Sequence, residues 1–145
     1  MKEEMGRIED KVNEICSYLE NLAEIKPSSL EEYKQDFKIK LMCERCAEVI
    51  VESLVDLAFL FIKKINLNIP QDDRKVFDVL KEANIISGEL AERLKDAKGM
   101  RNILAHEYGK VNDEIVFEAV SFELEKDVKE FLSAIEVKLA EHKGE

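Results

Sequence analysis

Apolar residues recur every three or four positions through most of the chain, which is the spacing of one face of an α-helix. In residues 3–25 that face is formed by five residues: Ile8, Val12, Ile15, Leu19 and Leu22. Pro27 follows, and it ends the segment because proline cannot continue a helix. The pattern predicts an amphipathic first helix.

The second predicted helix covers residues 28–65 and is long for a globular protein. Ser28 and Ser29 are each followed three residues later by a glutamate, so both match the capping-box pattern of a helix start. Residues 49–62 are apolar almost all round, and a helix that is apolar on every side must be buried on every side. We therefore expect a central helix, a subunit interface, or both.

The second half of the chain predicts a loop and two more helices before the last one. Residues 66–71 form the loop, and a third, short helix covers residues 72–83 with Asn84 as its stop. Ser87 is a suitable N-cap for the fourth helix, which ends near Tyr108. Gly109 follows at the position where helices commonly stop.

Asn112 or Asp113 can cap the fifth predicted helix, which frays after His142. The chain of 145 residues has five Gly and two Pro, so it offers few places for tight hairpin turns. Its length is that of one ordinary domain. The sequence thus predicts an all-α fold of five helices with a long central helix, in a single domain over residues 1–145.

The formal net charge is -10, and this sign opposes binding to nucleic acid at long range. Any nucleic-acid site must therefore be a local basic patch. Five basic residues lie between positions 93 and 110, opposed there by Asp96 and Glu107. Among them Arg93, Lys98 and Lys110 are our candidates for contacts with RNA.

Three cysteines, an odd number, fit reduced thiols in a cytosolic protein. Cys43 and Cys46 have C-x2-C spacing but no second pair of ligands nearby, whereas a structural zinc site needs four ligands. We expect no metal and no cofactor. The chain has no signal-peptide pattern at its start and no apolar run long enough to span a membrane, which predicts a cytoplasmic location without a membrane partner.

The chemistry is concentrated at the end of the fourth helix. With about 100° per residue and Arg101 set at zero, Ala105 falls at about 40°, Asn102 at about 100°, His106 at about 140° and Tyr108 at about 340°. Three apolar residues share the other arc and are expected to face the core: Met100, Ile103 and Leu104. Four hydrogen-bonding side chains around one alanine differ from an ordinary solvated face of Lys and Glu.

This set of side chains suits a phosphodiester. Arg101 can hold phosphate oxygens with two hydrogen bonds, and His106 can transfer protons near neutral pH. RNA supplies its own nucleophile, the 2'-hydroxyl group, so the cleavage requires no metal. One histidine cannot easily serve as both base and acid. A dimer in which two copies of this helix face each other supplies two histidines.

Residues 101–108, R-N-I-L-A-H-E-Y, resemble the R-x4-H-x-Y signature of the HEPN superfamily, in its HepT-like toxin branch. The flanking segments F-D-V-L, I-I-S and G-K-V also resemble that branch, and the resemblance covers most of the chain. It implies an HEPN-type up-and-down bundle that forms a homodimer with the motif helices meeting in a cleft. It also implies a metal-independent endoribonuclease.

The resemblance further implies a role for each motif residue. Arg101 and His106 are the expected catalytic residues, and Asn102 supports them. HepT-like toxins are usually encoded beside a minimal nucleotidyltransferase antitoxin, which can neutralise the toxin by transferring AMP to the motif tyrosine, here Tyr108. RNA is the expected substrate.

Other interpretations stay open at this point. Arg101 and His106 can instead form a structural network at a helix end, Asn102 a dimer hydrogen bond, and Tyr108 a packing contact under the Gly109 turn. The alternative function is a non-catalytic helical binding module that partners a minimal nucleotidyltransferase and is modified by it. A purely structural scaffold leaves the polar arc unexplained.

Overall fold

The computed structural model describes residues 2–143, and most of them are helical. No strand occurs among these residues, which confirms the all-α prediction, and none of their helices is long and apolar enough to cross a membrane. The α-helices are α1 (Lys2–Ile25), α2 (Leu30–Gln35), α3 (Phe37–Lys64), α4 (Val76–Glu82), α5 (Gly88–His106), α6 (Asp113–Glu118) and α7 (Leu124–Lys143).

Helix α3 is the centre of the bundle, as its apolar sequence predicts. It contacts α1, α2, α4, α5 and α7. Leu57, Phe61 and Ile62 have no exposed surface, while Phe59 and Leu60 are partly buried against the core. The second half of the helix therefore lies in the interior, whereas its first turns are exposed.

The second predicted helix is divided at Asp36, which the sequence analysis did not anticipate. Asp36 has extended backbone angles, φ -99° and ψ 97°, and its carboxylate accepts hydrogen bonds from the amides of Lys38 and Ile39 at 3.1 Å each. A short acidic side chain competes with the helix for backbone amides, so it favours a new helix start. Ser29 caps the preceding helix α2 by accepting from the amide of Glu32.

The fifth predicted helix contains a wider turn. Residues 119–123 form a π-helical turn between α6 and α7, so the helical path continues but its faces rotate. Val120 and Leu124 remain buried on either side of Phe122, which is 61% exposed. Asn112, one of the two predicted caps, begins α6 by accepting from the amides of Glu114 and Ile115.

The C-terminal ends of α3 and α4 have the same backbone geometry. Asn66, after α3, and Asn84, after α4, both adopt left-handed backbone angles, with φ of 61° and 60°. In each case the following amide bonds back to the helix, Leu67 to the carbonyl of Ile62 at 3.0 Å and Ile85 to that of Leu80 at 2.9 Å. Asparagine tolerates this conformation better than most residues, and the predicted stop at Asn84 is confirmed.

Candidate active site at the end of α5

Helix α5 is fixed to the bundle along one side and capped at its start. The hydroxyl of Ser87 accepts from the amide of Leu90 at 3.0 Å, so the predicted N-cap is confirmed. Leu104 is buried as expected, whereas Met100 and Ile103 are only partly buried. The core-facing side of the helix is therefore narrower near the motif than its sequence pattern predicts.

Arg101 reaches across to α3, where it meets a carboxylate. Its Nη2 atom lies 2.7 Å from Oε2 of Glu52, and its Nη1 atom donates to Oδ1 of Asn102 at 3.2 Å. The side chain of Arg101 is 24% exposed and that of Glu52 is 50% exposed. The Nε atom is buried without a hydrogen-bond partner among the described residues. The guanidinium group is thus held at one side and partly open to solvent.

A cavity of about 250 Å³ lies beside this ion pair, between α1, α3 and α5. Its charged lining residues are Lys11, Glu14, Arg45, Glu48, Glu52, Asp56 and Arg101. Four carboxylates face three cationic groups there. The cavity therefore has no excess of positive charge that would attract an RNA phosphate.

His106 is the last residue of α5, and its side chain is exposed. Glu107 leaves the helix with φ -134° and ψ 57°, and its amide donates to the carbonyl of Ile103 at 2.8 Å. Helical geometry separates Arg101 and His106 by about 7.5 Å along the axis and about 140° around it. The two side chains therefore leave the helix in different directions.

Tyr108 does not lie on α5, and its predicted place on the arc beside Arg101 is wrong. The turn at Glu107 ends the helix, and Tyr108 begins a 3-10 turn, Tyr108–Lys110. The side chain of Tyr108 is 76% exposed, so it does not pack under the Gly109 turn. Gly109 has no positive φ, which means that the left-handed glycine stop is absent from this helix end.

The three candidate RNA contacts have different surroundings. Arg93 is ion-paired with α7, at 2.8 Å to Asp127 and 2.6 Å to Glu130. Lys98 is 8% exposed and lies 3.3 Å from Asp73. The side chain of Lys110 is 75% exposed and pairs with Glu107 at 3.1 Å. Lys110 is thus the most accessible of these three cations.

Comparison with known proteins assigns the chain to a family. Residues 8–135 match the model of the family described as HepT-like, Ribonuclease HepT-like. The chain belongs to the HepT-like family. Its helical bundle with the motif at the end of α5 is therefore a HepT-like fold, and the expected membership of the HEPN superfamily is confirmed.

Two curated relatives are nucleases by name. The chain is 29% identical to the tRNA nuclease HepT of Aphanizomenon flos-aquae over 119 residues, which cover 82% of this chain and 81% of the relative. It is 34% identical to the mRNA nuclease HepT of Shewanella oneidensis over 108 residues, which cover 72% and 77%.

A solved structure of the same fold contains a modified toxin. It is the tri-AMPylated Shewanella oneidensis HEPN toxin in complex with MNT antitoxin. The TM-score is 0.82 at 28% identity, and the match covers 90% of this chain and 97% of that chain. The likeness extends over nearly the whole of both chains.

The part of the candidate site that lies on α3 is not among the residues that the sequence predicts. Glu52 touches the motif arginine from 49 positions upstream, and no short motif joins the two residues. A signal was nevertheless present, because Arg45, Glu48 and Glu52 recur at three and four residues on a helix that is otherwise largely apolar. A polar stripe on a buried helix indicates a partner or a site.

Proposed function

We propose that this protein is the toxin of a toxin–antitoxin pair, a metal-independent endoribonuclease in which Arg101 and His106 perform the cleavage. The observation that carries the proposal is the end of α5, where an exposed His106 follows a solvent-reachable Arg101 in a HepT-like chain. The nuclease names of the curated relatives support the same class of activity.

The proposed reaction uses the 2'-hydroxyl group of RNA. His106 removes its proton, the 2'-oxygen attacks the adjacent phosphorus, and the bond from phosphorus to the 5'-oxygen breaks. The leaving oxygen takes a proton from an acid and becomes a 5'-hydroxyl, while the other product end is a 2',3'-cyclic phosphate. Arg101 stabilises the negative charge that develops on the phosphoryl oxygens.

We propose that the acid is His106 of a second protomer, so the active unit is a homodimer. His106 lies at an exposed helix end, and its side chain leaves the helix in a different direction from that of Arg101. This arrangement supports an active site to which two copies of the chain contribute residues. The first turns of α3 add an apolar surface, because Phe37, Leu41 and Met42 are 70%, 48% and 45% exposed. Exposed apolar patches commonly mark interaction surfaces.

We propose Tyr108 as the acceptor of AMP from a minimal nucleotidyltransferase antitoxin. Its 76% exposure would let the phenol oxygen attack the α-phosphorus of ATP, losing its proton and releasing pyrophosphate. The AMPylated state of a solved toxin of this fold supports the proposal. The added phosphate would lie two residues from His106 and compete with RNA there by like charge.

Asn102 and the basic residues complete the proposal. Asn102 supports catalysis by accepting a hydrogen bond from Arg101. Lys110 contacts RNA beyond the motif, because its side chain is exposed and adjacent to it. Contacts of Arg93 and Lys98 with RNA require their ion pairs with Asp127, Glu130 and Asp73 to open.

The test is cleavage of tRNA and mRNA in EDTA, with growth inhibition measured in parallel. We expect wild type to cleave, and His106→Ala and Arg101→Ala to lose at least about 100-fold in rate. His142→Ala replaces the other histidine of the chain, in α7, and should leave the rate unchanged. Full activity in both motif variants would contradict the proposal.

A second function, a non-catalytic module that binds and is modified by a nucleotidyltransferase, has one observation in its favour. Four carboxylates surround the Arg101 cavity of a chain with net charge -10, and they disfavour RNA. This function predicts no cleavage by unmodified protein, together with a mass increase of one or more AMP units after incubation with the partner and ATP. Tyr108→Phe should abolish the increase, and an increase retained in that variant would exclude Tyr108 as the acceptor.

A further inference from the structure

We infer that Glu52 is a positioning residue for Arg101, which fixes the guanidinium group in the orientation that cleavage needs. This inference rests on the proposed nuclease function. Its basis is the contact across the α3–α5 interface, where Arg101 Nη2 and Glu52 Oε2 are 2.7 Å apart. A hydrogen bond between two charged groups at this distance is among the stronger ones in proteins.

The hydrogen bonds of Arg101 show why Glu52 matters for its orientation. A guanidinium group has five N–H donors in a fixed plane. One N–H bonds Glu52, one bonds Asn102 at the longer distance of 3.2 Å, and the Nε–H is buried without a partner in the described chain. Two N–H groups remain, which is the number that a phosphate binds in a bidentate contact. Glu52 is therefore the strongest contact that determines where these two groups lie.

The cavity beside Arg101 contains other carboxylates that compete with Glu52 for the guanidinium group. Lys11 lies 3.3 Å from Glu14 and 3.2 Å from Asp56, and Ser53 donates to Glu14 at 3.2 Å. These contacts occupy two carboxylates of the cavity and leave Glu52 to Arg101. Without the Glu52 carboxylate, the guanidinium group can turn into the same cavity toward another acidic side chain.

Arg101 has a nearby alternative in Glu48, one turn before Glu52 on α3. The carboxylate of Glu48 lies 3.4 Å from Nη1 of the exposed Arg45, and an ion pair at this distance on the surface adds little stability. The carboxylate of Glu48 is therefore available when that of Glu52 is removed. An arginine that turns toward Glu48 changes the direction of the two N–H groups that are left for a phosphate.

The ion pair contributes little to folding because both side chains reach solvent, at 24% and 50% exposure, and partly exposed pairs add little net stability. A positioning role thus predicts a large change in turnover without a matching change in thermal stability. A merely structural role would change both together.

The experiment measures kcat and KM for cleavage of a defined tRNA, with the melting temperature of each variant. Glu52→Ala should lower kcat by about 10- to 100-fold, because a shift of about 1 Å in a catalytic group has that effect. Glu52→Gln keeps an acceptor oxygen at the same place and should stay within about threefold of wild type. Glu48→Ala is the matched control, since it removes a carboxylate of the same cavity without removing a contact of Arg101.

The outcomes separate the two proposals. The inference is overturned if Glu52→Ala retains the wild-type kcat, if Glu48→Ala lowers kcat equally, or if Glu52→Gln is as inactive as Glu52→Ala. The last two results would assign the effect to negative charge alone. Inactive wild type would remove the nuclease function and this role with it, whereas active wild type, inactive Arg101→Ala and fully active Glu52→Ala would remove this role alone.

Discussion

The second half of α3 and the end of α5 are joined by the contact between Glu52 and Arg101, but they differ in burial and in the chemistry of their side chains. In α3, Leu57, Ala58 and Phe61 have no exposed surface and contribute to the core. At the end of α5, His106 and Tyr108 are exposed, and Arg101 reaches solvent. The second half of α3 thus contributes to the core, and the exposed side chains of the candidate site lie at the end of α5.

This division lets the reactive end vary at little cost to folding. Burying a large apolar side chain contributes about 1.5–3 kcal/mol, whereas a partly exposed ion pair contributes about 0–1 kcal/mol. The glutamate of α3 that touches Arg101 connects the two regions. The buried helix therefore also serves as a fixed support for one side of the proposed active site.

The largest expected effect on stability is in the buried second half of α3. Phe61→Ala should lower the free energy of unfolding by about 3–5 kcal/mol, because it removes a fully buried ring and leaves a cavity. Phe122→Ala removes a ring that is 61% exposed, and it should change the free energy of unfolding by no more than about 0.5 kcal/mol. Urea denaturation measures both, and equal losses would show that the buried second half of α3 contributes no more to stability than an exposed ring does.

A smaller effect is expected at the start of the motif helix. Ser87→Ala removes the hydroxyl that accepts from the amide of Leu90, and it should lower the free energy of unfolding by about 1 kcal/mol. Ser133→Ala replaces an exposed serine inside α7 and should be neutral or slightly stabilising. Thermal unfolding of the pair checks this, and an equal loss in both variants would mean that the cap contributes nothing.

The smallest expected effect on stability coincides with a large effect on activity. Arg101→Ala should change the free energy of unfolding by less than about 1 kcal/mol, because its ion pair is partly exposed. The same variant should lose RNA cleavage. A stability loss as large as that of Phe61→Ala would instead indicate that Arg101 is a structural residue and that the two regions do not divide stability from chemistry.

Local signals made much of the fold predictable from the sequence. Ser87 and Asn112 begin helices by accepting hydrogen bonds from backbone amides, and Asn84 follows the end of α4 in a left-handed conformation, so all three lie where their chemistry predicts. The apolar residues of α3 predicted its central position because their number exceeds what a surface helix can expose.

The remaining features depend on contacts that local patterns do not encode. Asp36 fits the polar side of a helix as well as it fits a cap, so the break between α2 and α3 was missed. Lys98 was expected to face RNA, but the fold places it at 8% exposure beside Asp73. The pairing of Arg101 with Glu52 joins two helices that are distant in sequence, and helical periodicity within either one cannot specify it.

The position of Tyr108 shows a different limit. The predicted helix ends near Tyr108, but the backbone leaves the helix at Glu107. A shift of one or two residues at a helix end is small for the fold. It is decisive for the site, because it places the proposed AMP acceptor in solvent instead of beside Arg101.

The central claim is that the end of α5 is a metal-independent RNA-cleaving site. Its most direct test is to incubate a defined tRNA in EDTA with wild type and with His106→Ala, and to identify the new RNA ends by mass spectrometry. The account predicts 2',3'-cyclic phosphate and 5'-hydroxyl ends with wild type and no new ends with His106→Ala. The same new ends produced at the same rate by both proteins would contradict it.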